Sequence, residues 1–324
     1  MLLSIVKDEF VFNCQLRKLS DKTIKNYAKQ IGYLLTFLEQ EKGITEIEKV
    51  IPQHVKEFLM NMKKNGRKIS YFNDLLKAFK VYFKYAYEEG YTATLITEKI
   101  KNAKEDKVII RTFSEQETKR LLNHYKGHKY LDLRNKVMVM LLIDTGIRLS
   151  EMINLTEEQI KHDHIIIKGK GAKERVVPKS PMLGKWLIKY LSVRNSYFLY
   201  RAIPENIFLS KNAKRLETAM VDRILKNAGK ACDISKDVRV SAHTFRHTYA
   251  QYQLKIGLDI YSLSRLLGHE SIAITQIYLN GLTYIIFHPS CTIPIKQRKT
   301  PIKPVIWLCK EKMKNSTKTE KIVK

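Results

Sequence analysis

The most constraining feature of the chain is the stretch from Ser241 to Asn280, which combines helical spacing with unusual polar side chains. Its apolar residues recur at three- and four-residue steps, a pattern that predicts helices packed on a core. His243 and Arg246 lie three residues apart and would therefore share one face of the first of these helices. Because a guanidinium offers a planar fork of donors, this pair suits the oxygens of a phosphate group.

The same stretch continues with a second set of polar groups. Gly268 fits a helix C-cap that would present His269 at a junction between two helices, with Tyr278 on the second. A tyrosine hydroxyl is a possible covalent nucleophile. A metal pair of His243 and His247 is less favoured, because no Glu beside the first histidine gives an H-E-x-x-H pattern and no Cys lies nearby.

A buried or half-buried arginine is predicted upstream of this stretch. The apolar run 137–143 has the length of a buried helix segment, and Arg148 follows it directly after a Thr-Gly break. Burying an unpaired guanidinium, like burying any unpaired ion, costs on the order of several kcal/mol. Glu151, three residues later on the next predicted helix, can supply part of that pairing.

A change of period then predicts a β-hairpin. Residues 164–168 and 174–178 are rich in β-branched side chains and flank the turn sequence Gly-Lys-Gly-Ala-Lys, which places Lys170 at the tip. The spacing G-x-x-x-x-G-K-[ST] is absent, so nucleotide binding by this loop is not expected.

In this order the motifs resemble those of the tyrosine recombinases, the phage integrase family. The first box of that family reads T-G-x-R-x-x-E and is matched by residues 145–151. Its second box reads H-x-x-R, then L-G-H, then a tyrosine, and is matched at 243–246, 267–269 and Tyr278. The resemblance implies a site-specific DNA recombinase that cleaves and rejoins DNA through a 3′-phosphotyrosyl intermediate, without metal or other cofactor.

The resemblance also implies a set of catalytic residues. Carried over position by position, the catalytic residues are Arg148, Lys170, His243, Arg246, His269 and Tyr278, with Glu151 orienting the first arginine. The family's hairpin supplies a mobile lysine that protonates the leaving 5′-oxygen; Lys168 and Lys173 remain alternatives to the residue at the tip.

The resemblance implies the roles of the other groups as well. The two arginines and His269 would donate hydrogen bonds to the non-bridging oxygens, where negative charge develops. His243 would assist proton transfer to and from Tyr278, whose ordinary pKa of about 10 leaves it protonated. We also expect the positive neighbours to make the phenolate easier to form.

The first hundred residues predict a helical bundle. Helices are expected after the N-cap Ser20, after Pro52 and from Ile69, with Gly43 and Gly90 closing the first and the third. This bundle carries a basic set: Lys63, Lys64, Arg67, Lys68, Lys77, Lys80 and Lys84. Most lysine runs are merely solvated, but beside a DNA-cleaving domain we expect this set to contact phosphates.

The domain plan combines these observations with the resemblance. We expect a mainly α fold with a small antiparallel β-hairpin, in the two-domain tyrosine recombinase architecture. A helical SAM-like core-binding domain would span 1–104, a charged linker 105–111 and an α+β catalytic domain 112–284. The capping box 114–117 opens the catalytic domain, and an atypical basic, proline-containing tail would span 285–324.

Bulk properties agree with a nucleic-acid partner. The formal net charge is +27, which favours a polyanion, and 44% hydrophobic residues argue against a disordered basic protein. The four cysteines lie far apart, as expected of free thiols in a reducing compartment. No signal peptide or apolar run long enough for a membrane span is apparent, so we expect a cytoplasmic protein without membrane contact.

The resemblance implies partners as well as chemistry. They are double-stranded DNA with an inverted-repeat core site, three further copies of the chain in a homotetramer on two DNA sites, and in some systems accessory DNA-bending or directionality proteins. The expected role is integration or excision of a mobile element, or dimer resolution. The short segment before Ser20 favours a core-site enzyme without an arm-binding domain. The alternatives are a type IB topoisomerase-like relaxase and a catalytically impaired DNA-binding integrase relic.

Overall fold

The computed structural model describes residues 1–105, 110–169 and 174–286, the last seven of these by their backbone alone. The chain divides into two compact units, Met1–Val108 and Ile109–Lys324. None of the helices in the described ranges is long and apolar enough to cross a membrane. The predicted tip of the hairpin, with Lys170 and Lys173, lies outside the described residues, as does the tail beyond residue 286.

The described part of unit 1 is a bundle of four α-helices. They are α1 (Leu3–Leu16), α2 (Asp21–Lys42), α3 (Pro52–Lys64) and α4 (Ile69–Glu88). The predicted caps of α2 are present: the Ser20 hydroxyl accepts the backbone N–H of Thr23 at 3.3 Å, and Gly43 ends the helix with φ +62°. Helix α1 was not predicted individually from the sequence.

Aromatic side chains fill the core of unit 1. Tyr82 on α4 is fully buried and meets Phe10 of α1 edge to face, with ring centroids 5.5 Å apart. Phe58 of α3 and Phe79 of α4 pack in the same way at 5.7 Å. Each such pair contributes about 0.5–1.5 kcal/mol beyond the area that it buries. These contacts fix α4 by its apolar face and leave its lysines on the opposite side.

Unit 2 contains eight α-helices and one antiparallel hairpin among its described residues. The helices are α5 (Glu115–His124), α6 (Tyr130–Thr145), α7 (Leu149–Ile153), α8 (Pro181–Tyr197), α9 (Thr218–Ala231), α10 (Ala242–Lys255), α11 (Ile260–Leu267) and α12 (Ile272–Ile286). The strands are β1 (His164–Lys168) and β2 (Glu174–Pro178). The mainly helical fold with a small hairpin is therefore confirmed.

Helix α6 is the centre of unit 2 and packs against α8 and α10. Its residues from Val137 to Thr145 are all buried, as the apolar run predicted. Gly146 ends the helix with φ +60°, and a Cβ there would lie 2.4 Å from the ring of Tyr249. This close approach sets the position at which the chain turns into α7, and it requires glycine.

The hairpin has the predicted strand bounds. In its register Ile165 faces Val177 and Ile167 faces Arg175, and the first three of these four residues are fully buried. Alternation along β2 therefore directs Arg175 to the same inner face as Val177. This strand contacts α11, so the hairpin is anchored beside the L-G-H turn.

Candidate active site

Three arginines converge on the C-terminal turn of α11. The helix ends at Gly268, whose φ of +66° closes the turn and leaves carbonyl oxygens without helical partners. Arg175, Arg246 and Arg148 donate to the carbonyl oxygens of residues 266, 267 and 268, at 2.7, 2.6 and 2.6 Å. The negative end of the helix dipole adds to the attraction. The turn thus holds three cations from three other elements of the chain.

Glu151 is the second anchor of this cluster. One carboxylate oxygen accepts the backbone N–H of Arg148 at 2.8 Å, and the other accepts its Nη1 at 2.9 Å. Arg175 binds the same two oxygens as a fork, at 2.8 and 2.7 Å. Burial acts to raise the pKa of Glu151, but the hydrogen bonds from Arg175 and Arg148 outweigh it and keep the pKa below its ordinary value. The carboxylate therefore stays ionised although its side chain is only 8% exposed.

Arg246 is the most buried arginine of the cluster, at 4% exposure. Its Nη1 donates to the carbonyl of Gly146 at 3.0 Å, which connects α10 to the end of α6. Burial, with the nearby charge of Arg148, lowers its pKa to about 10, so it is still protonated at neutral pH. A guanidinium has five N–H donors, so the carbonyl contacts of Arg246 leave donors for a phosphate.

Tyr278 lies on α12 and is only 4% exposed. Its ring centroid is 5.3 Å from that of His247 and 6.0 Å from that of His269. Burial raises the pKa of the phenol, and the opposing effect of Arg246 is smaller. Arg246 and Arg148 do lower the pKa, as expected of positive neighbours, but burial, which the sequence argument did not take into account, raises it by more in the DNA-free chain.

His269 follows the turn and is fixed by two hydrogen bonds. Its backbone N–H donates to the carbonyl of Ser264 at 3.0 Å, and its Nδ1 lies 2.8 Å from the hydroxyl of the fully buried Thr275. Burial, with the charges of Arg246 and Arg148 next, lowers the pKa of the imidazole to about 4. The ring is therefore neutral at pH 7 and carries one proton. With the Thr275 hydroxyl donating to Nδ1, that proton lies on Nε2, the nitrogen available to a ligand.

His247 is closer to Tyr278 than the sequence suggested. His243, in the first turn of α10, is exposed, and its ring centroid lies 6.4 Å from that of His247, which in turn packs on the tyrosine ring. Burial lowers the pKa of His247 to about 4. Its Nδ1 is buried and has no hydrogen-bond partner among the described residues. An imidazole that the sequence offered only as a disfavoured metal ligand thus contacts the nucleophile candidate.

Two further site residues, Arg175 and Thr275, were absent from the sequence prediction. Arg175 had a detectable signal, since alternation along β2 places it on the inner face with Val177, where a charge requires partners. Thr275 had none, because its six-residue separation from His269 fits no recognised motif. Of the lysine candidates, Lys168 is exposed at the end of β1, and the other two lie outside the described residues.

The basic set of unit 1 is placed on its surface. Six of its seven residues, Lys63, Lys64, Arg67, Lys68, Lys77 and Lys84, are exposed, and Lys80 is half-buried. Lys77, Lys80 and Lys84 follow one another along the outer face of α4, and we call these three the α4 lysine stripe. The last of them also pairs with Glu88 at 3.5 Å, an exposed contact of small energetic weight.

Comparisons with known proteins identify the family of the chain. Residues 111–283 match the model of the phage integrase family, and residues 7–93 match its N-terminal SAM-like domain. A tyrosine recombinase, XerA of Pyrococcus furiosus, is 31% identical over 280 residues, which cover 86% of this chain and 90% of that protein. Lambda integrase, solved as a dimer bound to a core site, matches 91% of this chain and 100% of its own, with a TM-score of 0.70 and 18% identity.

A further solved structure is a lambda integrase tetramer bound to a Holliday junction. It matches 91% of this chain and 81% of its own, at a TM-score of 0.69 and 17% identity, and it supports the two-domain fold. The chain belongs to the phage integrase family of tyrosine recombinases, enzymes that cleave and rejoin DNA. The prediction of a site-specific DNA recombinase is confirmed, and the topoisomerase-like and non-catalytic alternatives are not favoured.

Proposed function

We propose that this chain recombines DNA at an inverted-repeat core site, with Tyr278 as its nucleophile. The observation that carries the proposal is the convergence of a buried phenol, two arginines and a neutral imidazole around the 266–268 turn. Backbone carbonyls of this turn hold both arginines, and the buried carboxylate of Glu151 also holds Arg148. Their remaining donors are therefore in place before DNA arrives, which is the condition for efficient electrostatic stabilisation of a transition state.

The proposed chemistry is a transesterification. The Tyr278 oxygen attacks the scissile phosphorus, the P–O5′ bond breaks, and a 3′-phosphotyrosyl link and a free 5′-hydroxyl result. Arg148, Arg246 and the Nε2–H of His269 donate to the non-bridging oxygens as charge builds up on them. Attack by the 5′-hydroxyl of a partner strand reverses the steps and joins the exchanged strands.

Two proton transfers accompany this step. The phenol of Tyr278 must lose its proton during attack, because burial keeps its pKa above the ordinary value. His243 takes that proton in the proposed scheme, and the ring of His247 packs against both groups, with centroid distances of 6.4 and 5.3 Å. Lys170 from the hairpin donates a proton to the leaving 5′-oxygen, since an alkoxide is a poor leaving group at neutral pH.

The proposal extends to partners. The basic set of unit 1 and the +27 net charge support binding to the phosphates of duplex DNA. Four copies acting on two DNA sites would exchange the strands, and the likeness to a recombinase tetramer on a Holliday junction supports this assembly. Integration or excision of a mobile element, or dimer resolution, is the expected use of the reaction.

Covalent trapping tests the nucleophile and identifies the DNA site together. The wild-type chain and the variant Tyr278→Phe are compared with Tyr284→Phe, a control that replaces the next tyrosine along the chain. Each is incubated with genomic DNA of the source organism and denatured, and the DNA that stays attached to protein is sequenced. We expect adducts at one inverted-repeat site with the wild type and with Tyr284→Phe, and none with Tyr278→Phe. Adducts that persist in Tyr278→Phe, or a wild-type chain that binds DNA without forming any, would refute the proposal.

A further inference from the structure

Arg175 is bound on three sides by groups of the active site. Its Nε donates to the Leu266 carbonyl at 2.7 Å, and its two terminal nitrogens bind the two oxygens of Glu151 at 2.8 and 2.7 Å. The side chain is only 13% exposed. A bidentate, largely desolvated pair of this kind is geometrically specific, unlike an exposed ion pair.

The contacts of Arg175 duplicate those of Arg148. Both guanidiniums bind Glu151, and both bind carbonyls of the 266–268 turn. They differ in origin, since Arg148 precedes α7 whereas Arg175 belongs to β2. Arg175 therefore connects the hairpin to the two groups that orient Arg148. Through these hydrogen bonds, a displacement of β2 would also displace Glu151 and the turn, and with them Arg148.

Close packing strengthens the connection. A Cβ on Gly268 would lie 3.1 Å from both Cδ and Nη1 of Arg175, so the turn rests almost directly on the guanidinium. His269 is the next residue and donates from the same turn. Loss of the guanidinium would leave a gap beneath the turn and would remove two of the hydrogen bonds that hold the buried carboxylate of Glu151.

We propose that Arg175 is a positioning residue that fixes Glu151 and the 266–268 turn to the hairpin. It thereby positions the donors to the scissile phosphate, Arg148, Arg246 and His269, which we call the phosphate clamp. This role rests on the proposed function of Arg148 and His269 as phosphate ligands. Arg175 itself touches no reacting atom in this scheme. It holds the donors at the place where charge develops.

The test compares Arg175→Lys with the matched control Arg134→Lys. Arg134 is also buried and also donates to a carbonyl, that of Leu209, but it serves a different loop. Both variants are assayed for single-turnover cleavage of the DNA site recovered by trapping, for DNA binding and for thermal unfolding. Because misplacement of about 1 Å costs on the order of 10²-fold, we expect that loss of cleavage for Arg175→Lys with DNA binding retained.

Modified scissile phosphates separate positioning of the clamp from other roles. In a methylphosphonate, a methyl group replaces one charged non-bridging oxygen, so less negative charge must be stabilised by the donors. The ratio of the wild-type cleavage rate to the Arg175→Lys rate should therefore shrink. A 5′-bridging phosphorothiolate has a leaving group that needs no proton, and it should leave the ratio unchanged. Glu151→Gln is the second variant, should Arg175→Lys fail to fold, and should give the same pattern.

Each other outcome overturns the proposal. An unchanged ratio on the methylphosphonate would exclude action through the clamp. A ratio that collapses on the phosphorothiolate would show that Arg175 acts through the proton donor of the hairpin. The same pattern in Arg134→Lys would reduce the effect to general loosening of unit 2. A wild-type chain that cleaves no DNA would refute the proposed function as well, whereas full cleavage by Arg175→Lys would refute this inference alone.

Discussion

Replacing Thr275 by valine tests how the active site controls a single proton. The hydroxyl of this fully buried residue lies 2.8 Å from Nδ1 of His269. With a pKa of about 4, the imidazole has one proton to place at neutral pH. It can donate to a phosphate from Nε2 only if Nδ1 is the acceptor of the pair, which requires the threonine hydroxyl to donate. Valine has nearly the same shape and no hydroxyl.

The size of the effect follows from the lost hydrogen bond. One such bond contributes about 0.5–1.5 kcal/mol net, and a ring nitrogen left without a partner costs about 1–3 kcal/mol if fully buried. His269 is half-buried, so we take the lower half of that range. About 1.4 kcal/mol corresponds to a tenfold change in rate. We therefore expect Thr275→Val to cleave about tenfold more slowly, and at most about 30-fold.

The assay is single-turnover formation of the covalent adduct at saturating protein, so that DNA affinity does not enter. Thr275→Ser is the matched control, because it keeps the hydroxyl and loses a methyl group. We expect the serine variant to cleave at a rate near that of the wild type, although it loses some stability through the missing methyl. Equal rates for the valine variant and the wild type would refute the argument that Thr275 sets the tautomer of His269.

Three further predictions concern stability and binding. Gly146→Ala should lower the free energy of unfolding in urea more than Gly43→Ala. Both positions have positive φ, which costs an alanine about 1–2 kcal/mol. Of these two positions, only 146 would bring the new Cβ against an aromatic ring, at 2.4 Å. Equal losses would contradict this. The pKa of His247 and of His269 is about 4 in the folded chain and 6.5 in the unfolded chain, so the unfolded chain binds more protons between these two values. The free energy of unfolding should therefore decrease as the pH is lowered from about 6.5 to 4. If His247→Phe left the dependence of the free energy of unfolding on pH unchanged, this prediction would be contradicted. Glutamine at all three positions of the α4 lysine stripe should lower the salt dependence of DNA binding, by about 0.9 in log–log slope per lost phosphate contact; an unchanged slope would exclude the stripe from the interface.

Local signals explain how much of the fold was predictable. The capping box is one example: Ser114 accepts the N–H of Glu117 at 3.2 Å, and the glutamate accepts the N–H of Ser114 at 2.8 Å. Both bonds depend on residues three positions apart, so the sequence alone contains the information. The hairpin strands and the glycine that closes α11 were predictable for the same reason.

Helix α1 shows where such signals fail. Leu3, Val6 and Phe10 are buried on one side, but Ile5 and Phe12 are apolar and exposed on the other. A helix that is apolar all round gives no clear period, so the sequence did not predict its bounds.

The active site was predictable only where a motif names the residue. Arg148, Arg246 and Tyr278 come from motifs, and the structure places them around one turn. The partners that hold the site, such as Arg175, come from elements that are distant along the chain. Their contacts depend on tertiary packing, which spacing does not encode. The raised pKa of the phenol was missed for a related reason, because burial is a property of the folded chain.

The turn that collects three guanidiniums also has a consequence for stability. Among the described residues, Glu151 is the carboxylate that pairs with this cluster of Arg148, Arg175 and Arg246, so the cluster keeps an excess of two positive charges in a partly desolvated space. Folding must work against this repulsion, and a bound phosphodiester would relieve it. The substrate is therefore the missing counterion of the fold, and its departure after rejoining leaves the protein less stable than the complex it has just left.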